Sequence, residues 1–244
     1  MNTSVLTNLV LVHGAWHTSA SWDQLKLVWD SPSVTLSTID LPSVDGTGNL
    51  SRDADAVASH CRGLNGPTIL LGHSYGGAVI TQAARNVPDL EGLIYLAAMK
   101  PKLGESVAQL GRRSPVGSDL DAAIFVSNNQ MSLDLALAIG VLYDNVTDEL
   151  EKLLLHEIHP QSVSTFTEAL SSDVPTNVST SYVLCTRDRT IAPALQHVIA
   201  LTCDTTLELA TGHCPNVDAP FLLQERIETS LKYINFEKTG SPNC

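Results

Sequence analysis

Thr68-Ile69-Leu70-Leu71-Gly72-His73-Ser74-Tyr75-Gly76-Gly77-Ala78-Val79-Ile80 is the stretch that decides the fold. An apolar run of strand length enters G-x-S-x-G and leaves as a helix-forming run. A serine held on so sharp a strand-to-helix turn stands above the sheet edge, where a substrate carbonyl can reach it. Gly72 and Gly76 flank it because side chains there would crowd the turn. A bare G-x-S-x-G is weak evidence, so its surroundings carry the argument.

Five further runs read as strands: Asn8–His13, Val34–Ile39, Gly92–Ala97, Ser181–Cys185 and Thr205–Leu209. Together with Thr68–Gly72 they are near-continuously apolar, as parallel strands covered on both faces are. Helical spacing alternates with them. Trp22, Leu25, Val28 and Trp29 mark one helix face, and Ala54, Val57, Cys61 and Leu64 another. A last helix opens near Asp218 and Pro220 and continues through Leu223, Ile227, Leu231 and Ile234. This alternation predicts an α/β fold, a doubly wound and mostly parallel six-stranded sheet.

The rhythm breaks from Pro101 to about Pro175, where helical patterns such as Met131–Leu142 and Thr147–His156 occur without a convincing strand. Some 75 residues far exceed an ordinary crossover. We therefore expect a single domain over residues 1–244, with its core in 1–100 and 176–244 and a helical cap inserted at about 101–175. The tail Lys238–Cys244 is expected to fray.

Bulk composition narrows the partners. The 244 residues carry a formal net charge of −12, with 43% hydrophobic and 16% charged residues. Nucleic acid and anionic membrane surfaces need basic patches and are disfavoured. No run approaches the roughly 18 apolar residues of a membrane span. The early apolar run Leu9–Val12 is too short for a signal peptide. The cysteines Cys61, Cys185, Cys203, Cys214 and Cys244 are odd in number and form no C-x-x-C. A reduced, cytoplasmic setting is the simpler expectation.

Ser74 needs a base, because a hydroxyl is a poor nucleophile until an imidazole takes its proton. His213 follows the last strand, at the same carboxyl edge as the elbow. Asp188 follows the fifth strand and can accept the Nδ1 proton of His213, fixing its tautomer. Two alternatives to Asp188's role stay open: Asp188 in a surface ion pair with Arg187 or Arg189, and Glu105 as the acid. One oxyanion donor is expected to be the Tyr75 N–H at the start of the elbow helix. The other comes from His13-Gly14-Ala15-Trp16, with the Ala15 N–H first and Trp16 second. His13 is expected to brace this loop by hydrogen bonding.

These segments resemble the small α/β-hydrolases, in the compact branch that holds plant methylesterases, hydroxynitrile lyases and bacterial or fungal esterases. The resemblance rests on Leu11-Val12-His13-Gly14-Ala15-Trp16-His17, Ile39-Asp40-Leu41-Pro42-Ser43, the elbow, Val183-Leu184-Cys185-Thr186-Arg187-Asp188-Arg189 and Gly212-His213. It implies Ser74, Asp188 and His213 as a triad and Ala15 and Tyr75 as oxyanion donors. The similar lyases carry threonine where Gly14 stands and lysine where Cys214 stands, so the lyase reading weakens. Haloalkane dehalogenases and epoxide hydrolases use aspartate at the nucleophile position.

Other signals are discounted. His156-Glu157-Ile158-His159 is not H-E-x-x-H, and no metal is expected. No nucleotide-binding glycine pattern occurs, so no cofactor is expected. Cys214 reads as a packing residue. Phe125, Met131, Leu135, Tyr143 and Phe166 are candidates to line a pocket. The expectation is a cofactor-independent serine hydrolase cleaving a small or medium hydrophobic carboxylic ester or lactone through an acyl-enzyme. A cofactor-free lyase or biosynthetic tailoring enzyme on the same triad, and a hydrolase-derived small-molecule receptor, remain alternatives. A homodimer is left open.

Overall fold

The computed structural model describes residues 6–144 and 146–239, with side chains through Asn235. Six strands form the main sheet: β1 (Thr7–Val12), β2 (Val34–Ile39), β3 (Thr68–His73), β4 (Leu90–Leu96), β8 (Ser179–Cys185) and β9 (Thr205–Leu209). Their order is β2-β1-β3-β4-β8-β9, and every pairing is parallel. Each expected strand is therefore present, with ends shifted by at most two residues.

The chain moves from β1 outward to β2 and then back across β1 to β3. The carboxyl ends of β1 and β3 thus lie side by side, with Val12 opposite Gly72. In open α/β sheets this reversal leaves a crevice beyond the strand ends, where ligands bind. The sequence segments His13–Trp16 and His73–Gly76 are delivered into that crevice together.

Alternation within each strand explains its apolar character. Val10, Val12 and Leu70 face one layer, while Leu9, Leu11, Ile69 and Leu71 face the other. The second layer is closed by Leu25 of α1 (Asp23–Val28) and by the last helix, Pro220–Thr239. Leu223, Ile227, Leu231 and Ile234 form that helix's buried stripe. Full burial of such a side chain contributes roughly 1.5–3 kcal/mol, so this stripe anchors the carboxyl-terminal helix. The helix continues through Thr239, past the expected start of fraying at Lys238; the rest of that tail, from 240 to 244, lies outside the described residues.

The first layer holds α2 (Leu50–Arg62), α3 (Gly76–Ala83) and the segment between β4 and β8. That segment contains α4 (Val107–Gly111), α5 (Leu135–Leu142), α6 (Asp148–His156) and α7 (Val163–Thr167). It also contains a three-stranded antiparallel sheet, β5 (Ile124–Ser127), β6 (Gln130–Leu133) and β7 (Gln161–Ser162), which corrects the expectation of helices alone. Asn128 and Asn129 both have positive φ, 50° and 63°, and close a two-residue hairpin. Two left-handed residues are what such a turn requires, and asparagine tolerates them. Met131–Leu133 consequently belongs to β6. The helix expected from Met131 begins only at Leu135, where the Asp134 side chain caps Ala136 N–H. The other expected helix starts as read, with Thr147 capping Leu150 N–H.

Candidate active site

The elbow is built by exclusion. A Cβ on Gly72 would lie 2.5 Å from Gly76 O, and one on Gly76 would lie 2.6 Å from Val12 O. Neither position admits a side chain. Ser74 sits between them with φ +54°, a strained conformation for a residue with a Cβ. Its N–H donates to Leu96 O (3.1 Å), and its carbonyl accepts from Gly77 N (3.1 Å) and Met99 N (2.9 Å). Strand β4 and the turn after it therefore hold the strain in place.

Asp188 and His213 come together at the ends of β8 and β9. His213 Nδ1 donates to Asp188 Oδ2 at 2.8 Å, and both side chains are buried. The carboxylate has three further donors: Thr190 N (2.7 Å) and Ile191 N (2.9 Å) on Oδ1, and Gln196 Nε2 (2.8 Å) on Oδ2. Arg187 and Arg189 pair elsewhere, with Asp144 and Asp119. Glu105 accepts from Arg113 Nη1 (3.3 Å) and from Lys102 N (3.0 Å). The carboxylate on the His213 ring is therefore that of Asp188, and Glu105 is engaged at the surface.

Three residues to which the sequence assigns no role brace this pair. Gln196, from α8 (Pro193–Ala200), is fully buried and also bonds Cys185 N (3.0 Å) and Ile191 O (2.7 Å). His73 Nε2 donates to the His213 carbonyl at 2.9 Å, tying the His213 loop to the elbow. Burial and the adjacent His213 hold the His73 pKa well below the usual imidazole range, so it is a neutral donor. Asp144 Oδ2 accepts from Gly212 N at 2.8 Å, fixing the residue before His213. A glutamine on an apolar helix and an aspartate in a loop have no period or motif to mark them.

On the opposite side, His13 Nε2 accepts from Leu41 N (3.0 Å), so its proton is on Nδ1 and is donated to Gly14 O (2.8 Å). His17 Nδ1 donates to Ala15 O (2.8 Å), and Tyr143 OH donates to its Nε2 (2.7 Å). Burial lowers the pKa of each ring to about 4. His13 thus braces its loop, in agreement with the reading from sequence. Trp16 N–H donates to Gln161 Oε1 (3.3 Å) and is occupied. A Cβ on Gly14 would lie 3.0 Å from Ser74 Cβ, so the loop packs directly on the serine.

Ser74 opens onto a predominantly apolar cavity of about 430 Å³. Trp16, Met99, Met131, Phe166 and Ile191 are among its walls, and Arg112 and Asp121 also line it. Phe166 stacks on Tyr75 (5.8 Å, 13°) and tilts against Trp16 (5.7 Å). Of the five lining candidates, Met131 and Phe166 reach the cavity. Phe125 is exposed, Leu135 packs on the core, and Tyr143 is committed to His17. Among the described residues, no helix is long and apolar enough to cross a membrane.

Comparison with known proteins agrees with this architecture. Norfluorocurarine synthase 2 of Strychnos sp is 26% identical over 221 residues, 80% of this chain and 83% of that protein. The carbendazim hydrolyzing esterase of Nocardioides sp. (strain SG-4G) is 33% identical over 114 residues, 43% and 47% of the two chains. The crystal structure of a pyrethroid hydrolase from Sphingobium faniae JZ-2 superposes with a TM-score of 0.79 at 23% identity, covering 92% of this chain and 97% of that one. The sequence pattern of the alpha/beta hydrolase family matches residues 9–223. The match over residues 9–223, borne by a chain whose strained elbow serine stands at the switch-point crevice, shows that this chain belongs to the alpha/beta hydrolase family.

Proposed function

We propose that the protein is a cofactor-independent carboxylic ester hydrolase with Ser74, His213 and Asp188 as its triad. The observation that carries the reading is the buried 2.8 Å contact between His213 Nδ1 and Asp188 Oδ2, tied through His73 to an elbow serine that faces an apolar cavity. With Nδ1–H committed to Asp188, the lone pair of His213 is on Nε2 and can take the Ser74 proton. Ser74 attacks the ester carbonyl, and the Ala15 and Tyr75 N–H groups receive the oxyanion. His213 then protonates the departing alkoxide and activates the water that frees the acyl group. The occupied Trp16 N–H favours Ala15 as the donor from that loop. The apolar cavity favours a small or medium hydrophobic ester or lactone. A cytoplasmic location, consistent with Cys61, Cys185, Cys203 and Cys214 being free thiols, is part of the proposal.

A panel of p-nitrophenyl esters of increasing acyl length, with lactones, tests the reading. Wild type should show burst release of p-nitrophenol, while Ser74→Ala and His213→Ala should each lose turnover and keep the wild-type circular dichroism. Turnover surviving in either variant would refute the triad. The synthase among the relatives favours a second reading, in which the same residues serve a biosynthetic tailoring step. A trapped acyl-Ser74 with multiple turnover would decide for hydrolysis.

A further inference from the structure

Trp16 has φ +64°, a left-handed conformation that a bulky side chain adopts only under constraint. All of its polar groups are held by one part of the chain, the segment inserted between β4 and β8. Its N–H donates to Gln161 Oε1 (3.3 Å), its carbonyl accepts from His159 N (2.8 Å), and its indole Nε1 donates to Met131 O (3.0 Å).

Gln161 is the pivot of a longer buried chain. Ser43 Oγ donates to Asp53 Oδ2 (2.6 Å), and Thr165 Oγ1 donates to Ser162 O (2.6 Å). Both hydroxyl protons are thereby committed, so towards Gln161 these oxygens can only accept. The Gln161 NH₂ must face them, at 2.9 Å and 3.0 Å, and its carbonyl oxygen must face Trp16 N–H. Asp53 Oδ2 also accepts from Tyr75 OH (2.8 Å). Gln161, Ser43, Asp53, Thr165 and Tyr75 are each at most 1% exposed. One uninterrupted network therefore runs from Trp16, next to Ala15, to the side chain of Tyr75.

We propose that Gln161 is a positioning residue for the oxyanion hole: by holding the Ala15–Trp16 peptide, next to the Gly14–Ala15 peptide that carries the Ala15 N–H, it fixes that donor relative to Tyr75, so the hole is complete only with the inserted segment seated. This rests on the hydrolase reading above. It also implies that the Met131–Phe166 end of the insertion stays docked during turnover, since lifting it would release all three bonds that hold Trp16.

The test compares Gln161→Met, which keeps the shape without the amide, with Ser51→Ala. Ser51 makes a different tie to the insertion, its Oγ donating to Glu168 Oε1 at 2.5 Å, and neither residue hydrogen-bonds to a member of the Trp16–Gln161–Tyr75 network. Gln161→Met should lower kcat by roughly 10- to 100-fold, somewhat less than loss of a donor itself, with KM within about twofold. Affinity for a boronic acid, whose tetrahedral adduct on Ser74 places an oxygen in the hole, should fall by the same factor as kcat/KM. Ser51→Ala should lower Tm and leave kcat unchanged. A Gln161→Met enzyme with reduced Tm but wild-type kcat and boronate affinity would overturn the proposal, as would equal kcat losses in both variants. Should Gln161→Met not fold, Gln161→Asn, whose amide is one methylene short, carries the same comparison. Turnover surviving Ser74→Ala would sink the hydrolase reading itself, whereas loss in Ser74→Ala with normal kcat in Gln161→Met would sink this inference alone.

Discussion

Replacing Asp188 by asparagine changes one atom, and the surrounding donors dictate the consequence. Oδ1 accepts from two backbone N–H groups, Thr190 at 2.7 Å and Ile191 at 2.9 Å. The asparagine carbonyl must take that place, which turns its NH₂ towards Gln196 Nε2 and His213 Nδ1. Gln196 cannot flip cheaply to accommodate it, because Cys185 N donates to its oxygen and its nitrogen donates to Ile191 O. The remaining relief is for His213 Nδ1 to accept, which moves the ring proton to Nε2. In the proposed mechanism His213 is then protonated on the face that would receive the Ser74 proton. A wrong tautomer of this kind lowers kcat about 10⁴-fold, or ~5 kcal/mol of barrier at 1.36 kcal/mol per decade. The donor–donor clash with Gln196 should also cost roughly 1–3 kcal/mol of stability. The assay is kcat and KM on a short p-nitrophenyl ester, alongside urea unfolding. A folded Asp188→Asn enzyme within tenfold of wild type would refute the reasoning. A larger loss in Glu105→Gln than in Asp188→Asn would identify a different acid.

Two further outcomes follow from the same geometry. In Gly14→Ala, the new Cβ would lie 3.0 Å from Ser74 Cβ and 3.2 Å from His73 Nδ1, both held by their own bonds. Overpacking there should cost ~1–3 kcal/mol by urea unfolding and lower kcat; an unchanged Tm and rate would show that the loop yields. Acid stability is set partly by buried neutral imidazoles. His13 and His17 titrate at about 4 in the folded chain against 6.5 unfolded. The unfolded chain thus binds more protons between these values, and stability is lost as pH falls from about 6.5 to 4. Each ring contributes up to ~3 kcal/mol. Asp53 runs the other way: burial raises its pKa to about 6, so its contribution is lost as pH rises from about 4 to 6. The histidines should prevail, giving a lower urea midpoint at pH 4.5 than at pH 7, and His17→Phe should flatten that slope. An equal midpoint at both pH values would refute the assignment.

Legibility from sequence followed the range of the interactions. The six sheet strands and the terminal helix are apolar periods, readable within short windows of sequence. The β5–β6 hairpin carries a local turn signal, Asn128-Asn129 between Ile124–Val126 and Met131–Leu133, but the helical period of α5 extends in sequence across the Asp134 cap and masks it. The bracing residues are hidden in the sequence for another reason. Gln161 lies 145 positions from the Trp16 amide it holds, and Gln196 bonds the Asp188 carboxylate directly, eight positions away, only because the turn after β8 folds α8 back onto it. Neither residue type is unusual where it stands.

By itself the sequence determined the alternation of strands and helices, the elbow, and the carboxyl-edge loops carrying Asp188 and His213, because periodicity, glycine sterics and strand-end position are properties of short windows. Only the tertiary structure decided which carboxylate meets His213, which amide near Gly14 is occupied, and that the insertion grips Trp16. Those are choices among hydrogen-bond partners, made where buried polar groups must all be satisfied at once.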